Sequence, residues 1–101
     1  LSKAELGIMK IVGESMKETL WNGDLVLTQT SVKKPISNKI FAFAFENELR
    51  VKRFSRQLDG TWRVVSDNHD KSLYPDEFLS NQNIGSINFI GHVLKVIDRS
   101  L

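Results

Sequence analysis

The sequence of 101 residues contains no cysteine, and only two prolines and six glycines. The absence of thiols excludes disulfides, thiolate metal sites and cysteine nucleophiles, so any nucleophilic side chain must act through oxygen or nitrogen. The longest unbroken apolar run, residues 40–45, covers six residues, far fewer than the roughly 20 that a membrane-spanning helix needs. The sequence therefore predicts a protein without a membrane anchor.

Charge is also nearly balanced, with 14 basic and 12 acidic residues and a net charge of +2. The lysines and arginines are scattered along strand-like segments, so no basic patch indicates direct contact with nucleic acid. Length and a hydrophobic fraction of 41% predict one globular domain over residues 1–101, in which residues 1–7 form a polar lead-in without the pattern of a secretory signal. A chain that begins at Leu1 indicates a fragment or a processed product.

Short apolar segments with β-branched residues, separated by turn formers, predict an all-β domain that is barrel-like or a sandwich. Helix is expected only at 16–21, for at most one and a half turns, and for one turn at 76–79. Gly91 interrupts the last strand, where we expect a bend or bulge. The strands are predicted at residues 8–12, 24–29, 40–45, 49–54, 56–58, 61–66 and 87–97.

In two of these strands, the alternation of side chains between the two faces predicts how the strand packs. Phe41, Phe43 and Phe45 fall on one face of their strand, and the intervening alanines predict another segment packed closely over the opposite face. In the next strand, Lys52 shares a face with Phe54.

Ser15 lies on a turn directly after the first strand, a position that is held by a strand and open to a ligand. A serine beside a glycine is also a common turn residue or helix cap. As a nucleophile, Ser15 would need a base within hydrogen-bond reach. His69 lies in a polar turn and His92 in a strand, and neither has a carboxylate pattern that would orient it as a base.

A lysine is the remaining candidate base. Its pKa must fall from about 10.4 towards neutrality, which burial without a carboxylate partner achieves. Lys52 lies in a core strand, unlike Lys33, Lys34 and Lys71, which lie among polar residues. A solvated lysine with its stem along the strand is the alternative interpretation of Lys52.

Six short motifs stand out along the chain. They are Gly13-Glu14-Ser15-Met16, Thr19-Leu20, Gly23-Asp24-Leu25-Val26, Val51-Lys52-Arg53, Val65-Ser66-Asp67-Asn68 and Ile90-Gly91-His92-Val93. Together they resemble the LexA-like self-cleaving repressors, the S24 peptidases, which include phage CI-type repressors and UmuD translesion subunits. The resemblance covers residues 8–97, and Lys52 follows Ser15 by 37 residues, as is typical of the family.

The resemblance implies a mainly-β, barrel-like LexA/signal-peptidase-like fold with at most one or two short helical turns. It implies a serine–lysine dyad in which Ser15 is the nucleophile and Lys52 the general base, without metal or cofactor. The backbone N–H groups of Ser15 and Glu14 would stabilise the oxyanion. Glu14 replaces the aspartate that is common in the family, and only its backbone is needed. The motifs at 23–24 and 66–68 are expected to be structural turns without a catalytic role.

The family cuts its own chain at an Ala-Gly or Cys-Gly bond well before the serine, and no such bond precedes Ser15 here. We therefore expect the scissile bond, and a helix-turn-helix DNA-binding domain, upstream of this chain. The resemblance implies a cytoplasmic repressor domain that forms a homodimer or higher oligomer and is cleaved when RecA filaments stimulate it. Two alternatives remain open. One is an oligomerisation domain with a silent dyad, controlled by an antirepressor, and the other is a processed UmuD-like polymerase subunit.

Overall fold

The computed structural model of the protein describes residues 5–99. These residues form one seven-stranded sheet in the order β1-β2-β7-β3-β4-β5-β6, in which every neighbouring pair is antiparallel. The predicted mainly-β class is confirmed. No helix among the described residues is long and apolar enough to cross a membrane. The strands are β1 (Leu6–Lys10), β2 (Leu25–Gln29), β3 (Lys39–Phe45), β4 (Glu48–Arg56), β5 (Trp62–Val65), β6 (Glu77–Leu79) and β7 (Asn88–Asp98).

The helical content is as small as the sequence predicts, but one turn lies elsewhere. A single turn follows Ser15, where the N–H of Leu20 donates to the carbonyl of Met16 at 2.8 Å. Residues 76–79, predicted as a helical turn, instead contain β6, which pairs with β5. This prediction was wrong because pairing with the open edge of β5 outweighs the weak local helix preference. The short 3₁₀ helix lies at Asn83–Ser86.

Two groups of buried side chains form the core. The aromatic core contains edge-to-face pairs such as Phe54 with Phe89, whose ring centroids are 5.1 Å apart. Each of these buried side chains contributes about 1.5–3 kcal/mol by leaving water. The aromatic core comprises Phe41, Phe43, Phe54, Trp62, Val64 and Phe89, and the serine-loop core comprises Ile11, Met16, Leu20, Val26, Ala42 and Val93.

The alternation of phenylalanine and alanine in β3 correctly predicts that the two groups lie on opposite faces of this strand. Phe41 and Phe43 lie in the aromatic core, whereas Ala42 is fully buried in the serine-loop core with Met16 and Leu20. The small side chain of Ala42 thus leaves room for the segment that carries Ser15. Phe45, at the end of the strand, is 41% exposed.

The turn between β3 and β4 and the bulge in β7 also agree with the predictions from the sequence. Glu46 and Asn47 have φ of 51° and 64° and form the tight turn between β3 and β4. In β7, Gly91 pairs with Ala42 and Phe89 with Phe43, so the residue between them bulges. A Cβ at position 91 would lie 2.7 Å from the carbonyl oxygen of Gln29, so only glycine lets β2 approach this closely.

Candidate functional site

The loop that carries Ser15 is closed at its base by strand-like pairing. The N–H of Ile11 donates to the carbonyl of Asp24, and the N–H of Gly23 donates to the carbonyl of Ile11, both at 2.8 Å. Between them the chain turns sharply, since Gly13 and Glu18 have φ of 91° and 87°. The loop is therefore fixed to the ends of β1 and β2 and presents Ser15 between two left-handed residues.

Asp24 acts as a structural residue of this loop. Its carboxylate is fully buried, accepts the N–H of Trp21 at 2.8 Å and lies 3.2 Å from the guanidinium of Arg99. Burial alone would raise the pKa of Asp24, but the hydrogen bond from Trp21 and the charge of Arg99 hold that pKa below its ordinary value. These contacts support the structural role predicted for the Gly23-Asp24 motif.

A second loop, which follows β5, holds the serine loop from the side. The N–H of Asn68 donates to the carbonyl of Ser15 at 3.0 Å, and its side-chain amide donates to the carbonyl of Glu14 at 2.8 Å. The N–H of Asp67 lies 3.4 Å from the sulfur of buried Met16. Three consecutive residues of the serine loop are thus anchored to two residues of the second loop.

Asp67 connects this assembly to β4. Its carboxylate accepts hydrogen bonds from Arg53 at 3.0 and 2.7 Å and from the hydroxyl of Thr19 at 2.7 Å. Burial would raise the pKa of Asp67, but the hydrogen bonds from Arg53 and Thr19 hold it below its ordinary value. Since Arg53 is the neighbour of Lys52 in β4, Asp67 links the strand that carries the lysine, through Arg53, to the loop that carries the serine, through Thr19.

The side chain of Lys52 is partly buried. Its Nζ donates a hydrogen bond to Oγ of Ser66 at 2.6 Å, and Ser66 is only 2% exposed. Within the described part of the chain, no carboxylate oxygen lies within 4.0 Å of this ammonium. Burial lowers the pKa of Lys52 below its ordinary value. This is the environment that the sequence argument requires of a lysine base.

More distant charges act on Lys52 in both directions. The carboxylates of Glu77 and Glu48 raise its pKa, whereas the cations of Arg50 and Lys71 lower it further. These contributions largely oppose one another, so burial sets the direction of the pKa shift.

Ser15 and Lys52 line the same cleft, which has a volume of about 430 Å³. Residues 9–16 form one wall of this cleft and residues 48–52 another, and Tyr74 also lines it. Among residues 5–99, no hydrogen bond joins Oγ of Ser15 to Nζ of Lys52, whose hydrogen bond goes to Ser66. The structure brings the two predicted residues to one cleft, and their catalytic roles remain predictions.

The backbone N–H groups of Glu14 and Ser15 were predicted to stabilise the oxyanion. Glu14 and Ser15 both line the cleft, and within residues 5–99 neither of their N–H groups takes part in a hydrogen bond. Unpaired backbone donors beside a nucleophile are the kind of groups that stabilise a tetrahedral oxyanion. Their position is consistent with the predicted oxyanion site.

The two histidines lie elsewhere. His92 stacks on Phe41 with ring centroids 5.2 Å apart, and burial, together with the charge of Lys39, lowers its pKa. His69 is exposed and lines a separate cleft with Glu14 and Tyr74. In the described segment, no three histidine or acidic side chains lie together in a geometry that would hold a metal ion.

The contact between Ser66 and Lys52 was not predicted. Ser66 was expected to be part of a structural turn, whereas its hydroxyl accepts the hydrogen bond of Lys52. The register of the β4–β5 hairpin contains the signal: Arg53 pairs with Val65, so the next pair outward is Lys52 with Ser66. Knowing this register would have placed the hydroxyl opposite the amine.

Comparison with known protein families identifies the family to which the chain belongs. The sequence model of the family described as Peptidase S24-like matches residues 1–94. A search of curated proteins finds no match to the chain. Because the family match covers nearly the whole sequence and includes both walls of the cleft, the chain belongs to the Peptidase S24-like family.

Proposed function

We propose that this protein is a self-cleaving serine peptidase in which Ser15 is the nucleophile and Lys52 the general base. The observation that carries the proposal is the shared cleft, which is lined by Ser15 and by a partly buried Lys52. Among residues 5–99, no carboxylate forms an ion pair with Lys52. Membership of the peptidase family supports it independently.

In the proposed reaction, neutral Lys52 accepts the proton of the Ser15 hydroxyl while Oγ attacks the carbonyl carbon of the scissile peptide. The backbone N–H groups of Glu14 and Ser15 donate hydrogen bonds to the resulting oxyanion. As the tetrahedral intermediate collapses, the C–N bond breaks and the Lys52 ammonium returns its proton to the leaving amine. Water then attacks the Ser15 ester while Lys52 again accepts a proton. As this second intermediate collapses, the bond between the acyl carbon and Oγ breaks, Lys52 returns the proton to Oγ, and the carboxylate product leaves.

We further propose that the domain acts in the cytoplasm within a LexA- or CI-like repressor. The bond it cuts would be an Ala-Gly-type bond on the N-terminal side of Ser15 in its own polypeptide. Cleavage stimulated by RecA filaments would separate the DNA-binding part from this domain, which would hold the repressor as a homodimer. The family resemblance carries this assignment, and a UmuD-like subunit would use the same chemistry.

The test is a cleavage assay on the full-length protein, with and without RecA filaments, at pH 7 to 10. Ser15→Ala and Lys52→Met are compared with Ser31→Ala and Lys95→Met, which change exposed residues of the same types. The proposal predicts one specific cut that only the first pair of substitutions abolishes. A cut that persists in Ser15→Ala would contradict it. No cut under any condition would instead favour an oligomerisation domain with a silent dyad.

A further inference from the structure

A second lysine, Lys71, also forms a hydrogen bond with Ser66. Nζ of Lys71, in the loop after β5, donates to the backbone carbonyl of Ser66 at 2.7 Å and to the carboxylate of Asp76 at 3.0 Å. Ser66 therefore accepts one lysine on its hydroxyl and another on its carbonyl. Lys71 therefore contacts the backbone of the buried residue whose hydroxyl accepts the hydrogen bond of Lys52.

The charge of Lys71 is only partly neutralised. Asp76 faces two cations, since Arg63 also lies 3.9 Å from its carboxylate. A positive charge therefore remains on this side of Lys52. It opposes protonation of Lys52, because like charges in a partly desolvated site repel each other.

Two carboxylates also act on the charge of Lys52. Arg50 lies 3.2 Å from Glu48 and 3.9 Å from Glu77, so two carboxylates face one guanidinium. These carboxylates favour the ammonium form of Lys52, whereas Arg50 and Lys71 disfavour it. Lys71 is thus one of the two cations that disfavour the ammonium form of Lys52.

We propose that Lys71 is a positioning residue for the Lys52 amine, which holds Ser66 in place and keeps a second positive charge beside the base. Its place in the reaction rests on the proposed function, in which Lys52 accepts the proton of Ser15. Lys71 acts through Ser66 and through its charge, and it does not line the cleft that contains Ser15.

The direct test is the titration of Lys52, followed by NMR through the ¹³Cε signals of labelled lysine and assigned by the signal lost in Lys52→Arg. Lys71→Met should raise the titration midpoint of Lys52 by about half a pH unit, the size expected of one partly screened charge at moderate distance. Lys71→Arg, which keeps the charge, should restore the midpoint. Glu77→Gln, which removes an opposing carboxylate, should lower it.

Lys33→Met is the matched control, because Lys33 also donates to a backbone carbonyl, that of Ile90, but outside the site. It should leave the Lys52 midpoint unchanged. The proposal would be overturned if Lys71→Met unfolds at the same temperature as the wild type and leaves the titration midpoint of Lys52 unchanged. So would equal shifts in Lys71→Met and Lys33→Met.

Cleavage by the full-length protein gives the second readout and separates the two proposals. In Lys71→Met the midpoint of the pH–rate profile of cleavage should move to higher pH by about the same half unit, and in Lys71→Arg it should return to the wild-type value. If the wild type cuts and its profile does not move in Lys71→Met, the role of Lys71 is refuted while the proposed function stands. If the midpoint moves but the wild type never cuts, the proposed function is refuted and the effect of Lys71 on Lys52 stands.

Discussion

Lys52 and Ser66 face each other one step beyond the last paired residues of the β4–β5 hairpin, and a 2.6 Å hydrogen bond joins them. Ser66→Ala removes the acceptor that holds the amine. We expect cleavage to slow by about 10- to 100-fold, since a hydrogen bond to a charged group is worth about 1.5–3 kcal/mol. Single-turnover cleavage of the full-length protein measures this effect.

The matched control is Ser37→Ala, since the Ser37 hydroxyl also accepts a hydrogen bond from β4, from the N–H of Arg56, but away from the cleft. It should cleave at the wild-type rate. Equal rates for Ser66→Ala and wild type would show that Ser66 does not position Lys52.

Lys52 should make folding stability depend on alkaline pH. Because burial lowers its pKa in the folded state, the unfolded chain binds more protons between that pKa and the ordinary value of about 10.4. Stability contributed by this group therefore rises with pH across that window. In Lys52→Met this rise should disappear and stability at pH 7 should increase, which urea unfolding at pH 7, 9 and 10 measures. If the free energy of unfolding of Lys52→Met rose with pH as steeply as that of the wild type, the burial of Lys52 would be contradicted.

The Arg53–Asp67 ion pair should stabilise the serine loop. Asp67→Asn is expected to cost about 1.5–3 kcal/mol of unfolding free energy, because charged hydrogen bonds to a largely buried carboxylate are lost. The pKa of Asp67 is depressed, so its contribution is complete above pH 4 and is lost as the pH falls through the folded-state pKa.

Denaturant unfolding of wild type and Asp67→Asn should therefore differ at pH 7 and converge at strongly acid pH. Asp98→Asn, at an exposed carboxylate, is the control and should change little. A difference that stays constant from neutral to strongly acid pH would show that Asp67 does not act through its charge.

Gly91 should tolerate no side chain. A Cβ there would lie 2.7 Å from the carbonyl oxygen of Gln29 and 2.8 Å from the Thr28 methyl group, so Gly91→Ala must push β7 away from β2. We expect a loss of about 1–3 kcal/mol. Gly85→Ala is the control, because a Cβ at position 85 meets no atom within 4 Å. Equal unfolding midpoints for the two variants would contradict the close approach of the strands.

Local patterns predict those parts of the fold that neighbouring residues determine. The alternation of residues 40–45 places Phe41 and Ala42 on opposite faces, and Gly91 marks the bulge. The first strand is observed two residues earlier than predicted, at Leu6–Lys10, because Ile11 turns into the serine-loop core. The three residues of β6 escape prediction because pairing with β5, a long-range effect, makes them a strand.

Less of the candidate site than of the fold can be predicted from the sequence. The resemblance paired Ser15 with Lys52, whereas composition and periodicity alone left both with ordinary structural interpretations. The desolvation of Lys52 and its contact with Ser66 depend on how β4 and β5 pair, and the contact of Lys71 depends on the path of a loop. These are tertiary properties, and no local pattern encodes them.

The pH dependence of self-cleavage by the full-length protein tests the central claim most directly. If neutral Lys52 accepts the proton of Ser15, the single-turnover rate should rise with pH and level off with a midpoint below about 10.4, because burial lowers the pKa of Lys52. Ser15→Ala and Lys52→Met should show no cleavage at any pH. A rate that does not change from pH 6 to 10, or wild-type cleavage by Lys52→Met, would contradict the account.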